Sequence, residues 1–148
     1  DVNIRDLVQK IRDAGINVIG NYIFGLPEDN LDTMQDTLDL AMDLNCEFAN
    51  FYSTMAYPGS RLYLDALLHN WELPKTYVGY SQHSYETQPL PTKHISAADV
   101  LRFRDNAFNE YYQNENYLSF IKQKFGQATY DDIIQMTKYT LKRKLLED

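Results

Sequence analysis

Two short turns are the best places for chemistry in this chain, because each follows a strand-like run and each contains glycine and proline. The first is Ile23-Phe24-Gly25-Leu26-Pro27-Glu28 and the second is Tyr57-Pro58-Gly59-Ser60. Glycine there lets the backbone pass close to a ligand, and strand-end amides and carbonyls can read a flat heterocycle such as adenine. Parallel α/β proteins place their ligands at this end of the strands. Other constellations carry less. Cys46 is the only cysteine, so the chain builds neither an internal disulfide nor a multi-cysteine metal site by itself. His69, His83 and His94 lack the i, i+4 spacing of a helical metal pair. Cys46 has no nearby basic partner in sequence and reads as a buried structural thiol. The acids around Glu28 suit a helix N-terminus without a catalytic role.

The elements that must position these turns follow from periodicity. Ile4, Leu7, Val8 and Ile11 recur as one face of an amphipathic helix, which Gly15 stops. Ile16 to Phe24 is mostly apolar and β-branched or aromatic, the pattern of a strand in a parallel sheet covered by helices. After the first turn, Asp29 or Asn30 can cap a helix whose face is Leu31, Met34, Leu38, Ala41 and Met42. Phe48 to Met55 is a second strand. Its polar residues Asn50, Tyr52 and Thr54 predict a face that looks into a cleft or barrel. Ser60 then caps a short helix carrying Leu64, Leu67 and Leu68. Helix, strand, turn, helix, strand, turn, helix is the sequence of two successive β/α units.

Residues 71–95 lose this periodicity and carry Pro74, Pro89 and Pro91 among several tyrosines. Such a stretch is either a binding lid or an ordered crossover. From Ser96 the pattern is helical again. One face is Val100, Phe103, Ala107, Phe108 and Tyr111, a second is Tyr117, Phe120 and Ile121, stopped by Gly126, and a third is Ile133 to Leu141. These aromatic stripes read as packing. The resulting organisation is β/α units over 1–70, an irregular connection over 71–95 and a helical region over 96–148.

Bulk properties bound the function. The formal net charge of −7 argues against nucleic acid as a partner. The basic group Lys138, Lys142, Arg143 and Lys144 reads as a solvated last helical turn. No apolar run approaches the roughly 20 residues of a membrane span, and one lone cysteine suits a reducing cytoplasm. An opening inside a helical pattern predicts a segment of a longer protein.

The string Ala-Gly-Ile-x-Val-Ile-x-x-Tyr-Ile-Phe-Gly-Leu-Pro-Glu-Asp, followed by a helix and a strand ending in Tyr-Pro-Gly-Ser, resembles the latter half of the radical S-adenosylmethionine barrel. The likeness covers about residues 1–70. It is greatest to the cobalamin-domain-containing branch of Fe–S oxidoreductases and magnesium-protoporphyrin ester cyclase-like proteins. That superfamily carries Gly-x-Ile-x-Gly-x-x-Glu on its fifth strand. Here Ile23, Gly25 and Glu28 match, whereas Asn21 stands at the first glycine.

The resemblance implies the last β/α units of a TIM-like barrel followed by helices. It implies a site for the adenine of S-adenosylmethionine at Ile23, Gly25 and Glu28, flanked by Tyr57, Pro58 and Gly59, and it turns Asn50, Tyr52 and Thr54 toward substrate. A [4Fe–4S] cluster, and cobalamin in that branch, belong to the whole enzyme. With one cysteine, this chain is expected to bind no cluster and to be inactive alone. Its expected partners are the rest of its polypeptide, a small-molecule substrate and, through an exposed sheet edge, a second copy. A non-catalytic α/β–helical binding or assembly module is the alternative.

Overall fold

A computed structural model describes residues 2–147. Among them the fold is mixed α/β, with six helices and one two-stranded parallel sheet. Helix α1 (Ile4–Asp13) is capped by Asn3, whose side chain accepts the N–H groups of Arg5 and Asp6. Strand β1 (Ile19–Phe24) leads through the first turn to α2 (Leu31–Leu44). Asn30 and Thr33 form a reciprocal capping box there, and Asn45 in the left-handed region ends the helix. Strand β2 (Phe48–Ser53) is followed by α3 (Arg61–Leu68), capped by Ser60. Helices α4 (Ala97–Tyr112), α5 (Glu115–Phe125) and α6 (Gln127–Met136) complete the chain, with short 3-10 turns at Tyr77–Tyr80 and Lys144–Leu146.

The strands pair in register Ile19↔Phe48 through Phe24↔Ser53. Alternation therefore divides the sheet cleanly. Tyr22, Phe24, Ala49 and Phe51 are buried on one face, against Met34 and Leu38 of α2 and Ala107 and Tyr111 of α4. Phe51 stacks on both Tyr22 and Phe24. Tyr117, Ile121 and Ile133 from α5 and α6 extend the same core. The other face carries Ile19, Asn21, Ile23, Phe48, Asn50 and Tyr52. Among the described residues helices leave most of it open: Ile19 and Ile23 are 58% and 50% exposed, while the Phe48 ring meets Tyr112 of α4.

Three buried tyrosines join the helices to the start of β2. Tyr111, Tyr117 and Tyr112 donate to the carbonyls of Cys46, Glu47 and Ala49 at 2.7, 3.2 and 2.6 Å. Burial drives all three phenol pKa values up, so they stay neutral donors. The aromatic stripes are packing, as their spacing implied. Cys46 is likewise a buried core thiol beside Tyr22.

Two local expectations fail, and α3 buries a residue outside its leucine pattern. Leu64, Leu67 and Leu68 of α3 face outward, and the buried residue is Ala66, packed with Leu90. A small side chain lets the helix approach the 71–95 segment closely, which leucine would prevent. The last helix stops at Met136 rather than Leu141. Arg143 is not a solvated cation either: it is 2% exposed and folds back onto α4. The tertiary pull of Asp105 on Arg143 overrides continuation of the helix.

Candidate functional site

The two turns lie side by side because the strands end together. Thr54 donates its backbone N–H (2.8 Å) and its hydroxyl (3.0 Å) to the carbonyl of Phe24. Thr54 is thereby buried and does not share the open face with Asn50 and Tyr52, as simple alternation predicted. The strand has already ended at Ser53. Ile23 does point to the open face, at the strand's last outward position, next to Tyr52.

Gly25 has φ +82, and a Cβ there would sit 2.5 Å from Cγ1 of Val100. Left-handed backbone and the approach of α4 both account for this glycine. The turn is shaped by Asp29, whose Oδ2 accepts the N–H groups of Gly25 (3.0 Å) and Leu26 (2.8 Å). Glu28 instead points to solvent and pairs with Lys93. Asp29 was legible in principle, since an aspartate a few residues after a turn glycine often folds the turn by this bond. At the second turn Gly59 has φ +87 with open space around it, and Tyr57 and Pro58 are exposed.

The 71–95 segment is an ordered crossover lying across these strand ends. Leu90 N–H donates to the Thr54 carbonyl (3.1 Å), and Lys93 N–H to the Pro27 carbonyl (3.0 Å). Its central part closes the outer border of β2. Phe48 N–H bonds the Val18 carbonyl and Thr54 N–H the Phe24 carbonyl, so residues 48, 50, 52 and 54 face β1 and residues 49, 51 and 53 face away. The Gln82 amide accepts Ser53 N–H (3.0 Å) and donates to the Ser53 carbonyl (2.9 Å), as another strand would. Tyr112 does the same for Ala49 (3.0 and 2.6 Å), and Arg104 Nε donates to the Phe51 carbonyl (2.7 Å).

Behind these side chains is a charged network. All five donors of Arg143 are used: two on Asp105 (2.8 and 2.9 Å) and three on Ser84 O, Thr87 Oγ1 and Gln82 O. Asp105 also accepts from Arg104 at 2.8 Å. This cluster lies far from the turns in sequence, joining residues 82–87, 104–105 and 143. No spacing rule could have found it.

A cavity of about 410 Å³ opens along the same border. Its walls include Asn50 and Tyr52 from the open face, Arg104 and Phe108 from α4, and Tyr139 and Leu141 from the returning C-terminal segment. His83 stands at its rim. Burial, then the charges of Arg104 and Arg143, depress the His83 pKa below the usual histidine value.

The family resemblance implies two groups whose fit can be judged here. A [4Fe–4S] cluster does not fit, because Cys46 is the one thiol and it lies before β2, at the opposite end of the strand from the turns. Among the described residues, no three His, Cys, Asp or Glu side chains converge. An adenine fits better: Ile23 offers an exposed apolar surface beside Tyr52 and the turn. Gly25 and Glu28 are accounted for by the protein's own contacts.

No protein-family model matches the chain, and no solved structure matches it. A protein of Pyrococcus horikoshii described as an uncharacterized methyltransferase is 23% identical over 107 residues. The match covers 72% of this chain and 23% of that protein, so the chain spans about a quarter of its relative's length. Among the described residues no helix is long and apolar enough to cross a membrane.

Proposed function

We propose that this chain is the late barrel segment of a radical S-adenosylmethionine enzyme of the Fe–S oxidoreductase or methyltransferase type. The observation that carries the reading is the unequal treatment of the sheet's two faces. Helices cover Tyr22, Phe24 and Phe51, while Ile19, Ile23 and Phe48 are left at the surface. An isolated two-stranded sheet gains nothing by exposing these. In a larger barrel, the same face is the interior. The likeness to a described methyltransferase supports the same direction.

In this reading Ile23 packs on the adenine, the turn backbone borders it, and Asn50 and Tyr52 form one wall of the substrate cavity. S-adenosylmethionine, when bound, supplies a methyl group or radical chemistry. The cluster, and the cobalamin of that branch, would be held by residues outside this chain. The chain alone then lacks activity, and upstream strands of its own polypeptide are its partner along β1.

Isothermal titration of the full-length polypeptide with S-adenosylmethionine tests this, beside a melting curve. Ile23→Gln should weaken binding by about tenfold, a loss of about 1.4 kcal/mol, with Tm and cluster content kept. Unchanged affinity with a lowered Tm would return Ile23 to mere packing and favour the binding-module alternative.

A further inference from the structure

We infer that the cavity along the outer border of β2 is a binding site for a small carboxylate with an apolar, preferably aromatic, body. It needs only residues of this chain; Asn50 and Tyr52 also belong to the substrate wall proposed above, but the groups that carry this inference, the Phe51 N–H and Arg104, do not. Its first support is a backbone donor. Of the outward groups of Ala49, Phe51 and Ser53, the N–H of Phe51 has no hydrogen-bond acceptor among the described residues. The Phe51 ring is buried on the opposite, helix-covered face. What Phe51 offers the cavity is therefore its backbone.

The second support is a guanidinium. The Arg104 side chain is only 5% exposed. Its Nε goes to the Phe51 carbonyl and its Nη1 to Asp105, while Nη2 donates to no protein acceptor among the described residues. A free backbone N–H and a free Nη2 thus belong to adjoining groups that both line the cavity. A two-oxygen acceptor satisfies them together, and guanidinium–carboxylate pairing is geometrically favoured.

Charge points the same way. Arg104 and Arg143 share one carboxylate, Asp105, so the buried cluster keeps one positive charge in excess. A monoanion would neutralise it, whereas a dianion would overshoot. Phe48, Phe108, Met136, Tyr139 and Leu141 supply apolar walls, and about 410 Å³ is within the range of small-molecule sites. Asp105, the one carboxylate among the lining residues, is already engaged by Arg104 and Arg143.

3-Phenylpropionate and its neutral amide, 3-phenylpropanamide, are the probes. Each is titrated into the ¹⁵N-labelled chain, with calorimetry alongside. The acid should bind at least about tenfold more tightly than the amide and should move the Phe51 amide resonance downfield. Substituting Arg104 would also strip the Phe51 carbonyl of its donor, so the wall is altered instead. Leu141→Trp, at a partly exposed position, should fill the cavity and cost about tenfold in affinity with Tm unchanged. Equal affinity for acid and amide, an unmoved Phe51 amide, full binding by Leu141→Trp, or no saturable binding up to about 10 mM would each overturn the assignment.

Discussion

Along β2 the outward backbone groups of Ala49, Phe51 and Ser53 meet Tyr112, Arg104 and Gln82. Along β1 those of Ile19, Asn21 and Ile23 meet no partner among the described residues. Both borders belong to one sheet of six-residue strands, and both begin as equally adhesive rows of donors and acceptors. The difference lies in which parts of the chain come back to each strand. α4 and the 71–95 segment return to β2 and satisfy its outward hydrogen bonds with side chains, all but that of the Phe51 N–H. No described backbone or side chain hydrogen-bonds the outward groups of β1. A closed border marks where a sheet ends, and an open one marks where more strands are expected. The proposed carboxylate site sits at β2 because capping by discrete side chains leaves a gap, at the Phe51 N–H, that a strand would have filled.

The largest expected effect comes from unfastening the closed border. Arg143→Ala leaves Asp105 half-paired and frees Gln82, Ser84 and Thr87, so a loss of about 3–5 kcal/mol is expected, as for other broken buried ion pairs. Chemical denaturation measures it. A loss below about 1 kcal/mol would mean that the border is held by α4 alone.

Strand β1 has a different anchor, on the side that faces β2, and acid should release it. Glu47 accepts from Val18 N–H just before β1 (2.9 Å), from Lys124 (2.5 Å) and from Arg12 (3.2 Å). Burial by itself would raise its pKa, but the Lys124 and backbone hydrogen bonds, with Arg12, hold it down to about 2. The unfolded value is 4.5, so the unfolded state binds the proton first as pH falls. The stabilisation, on the order of 3 kcal/mol, is therefore present above about pH 4.5 and lost as pH falls through about 2. Glu47→Gln should flatten this part of a stability–pH curve. An unchanged curve would exclude Glu47 as the anchor.

The smallest effects separate the borders by adhesion. Gln82→Ala uncovers both Ser53 groups at a cost of about 1–2 kcal/mol. If β2 was closed by Gln82, this variant should also self-associate through the newly exposed border. Ile23→Lys places a charge at the open border of β1, with little change in stability because Ile23 is already half-exposed. It should weaken any self-association of the parent chain in light scattering across a dilution series. A parent chain that stays monomeric at high concentration would show that β1 is not adhesive alone.

Local chemistry makes much of this molecule legible in its sequence. Capping at Asn30, Ser60 and Ser96, the stop at Gly126, and the apolar periods of α2 and α4 are short-range effects, and they place those helices to within a few residues. Alternation in β1 puts Ile23 opposite Tyr22 and Phe24, where it lies. The sequence likewise determines that one thiol cannot hold a cluster. Tertiary structure alone decided the rest. Which face of α3 is buried and where α6 stops depend on neighbours distant in the chain, as does Glu28, which Lys93 draws out of the turn from 65 residues on. The Asp105–Arg143 pair joins residues 38 apart in sequence, and Gln82 reaches Ser53 across 29. Such contacts depend on where the backbone returns, because a hydrogen bond reports distance in space and no residue type announces its distant partner.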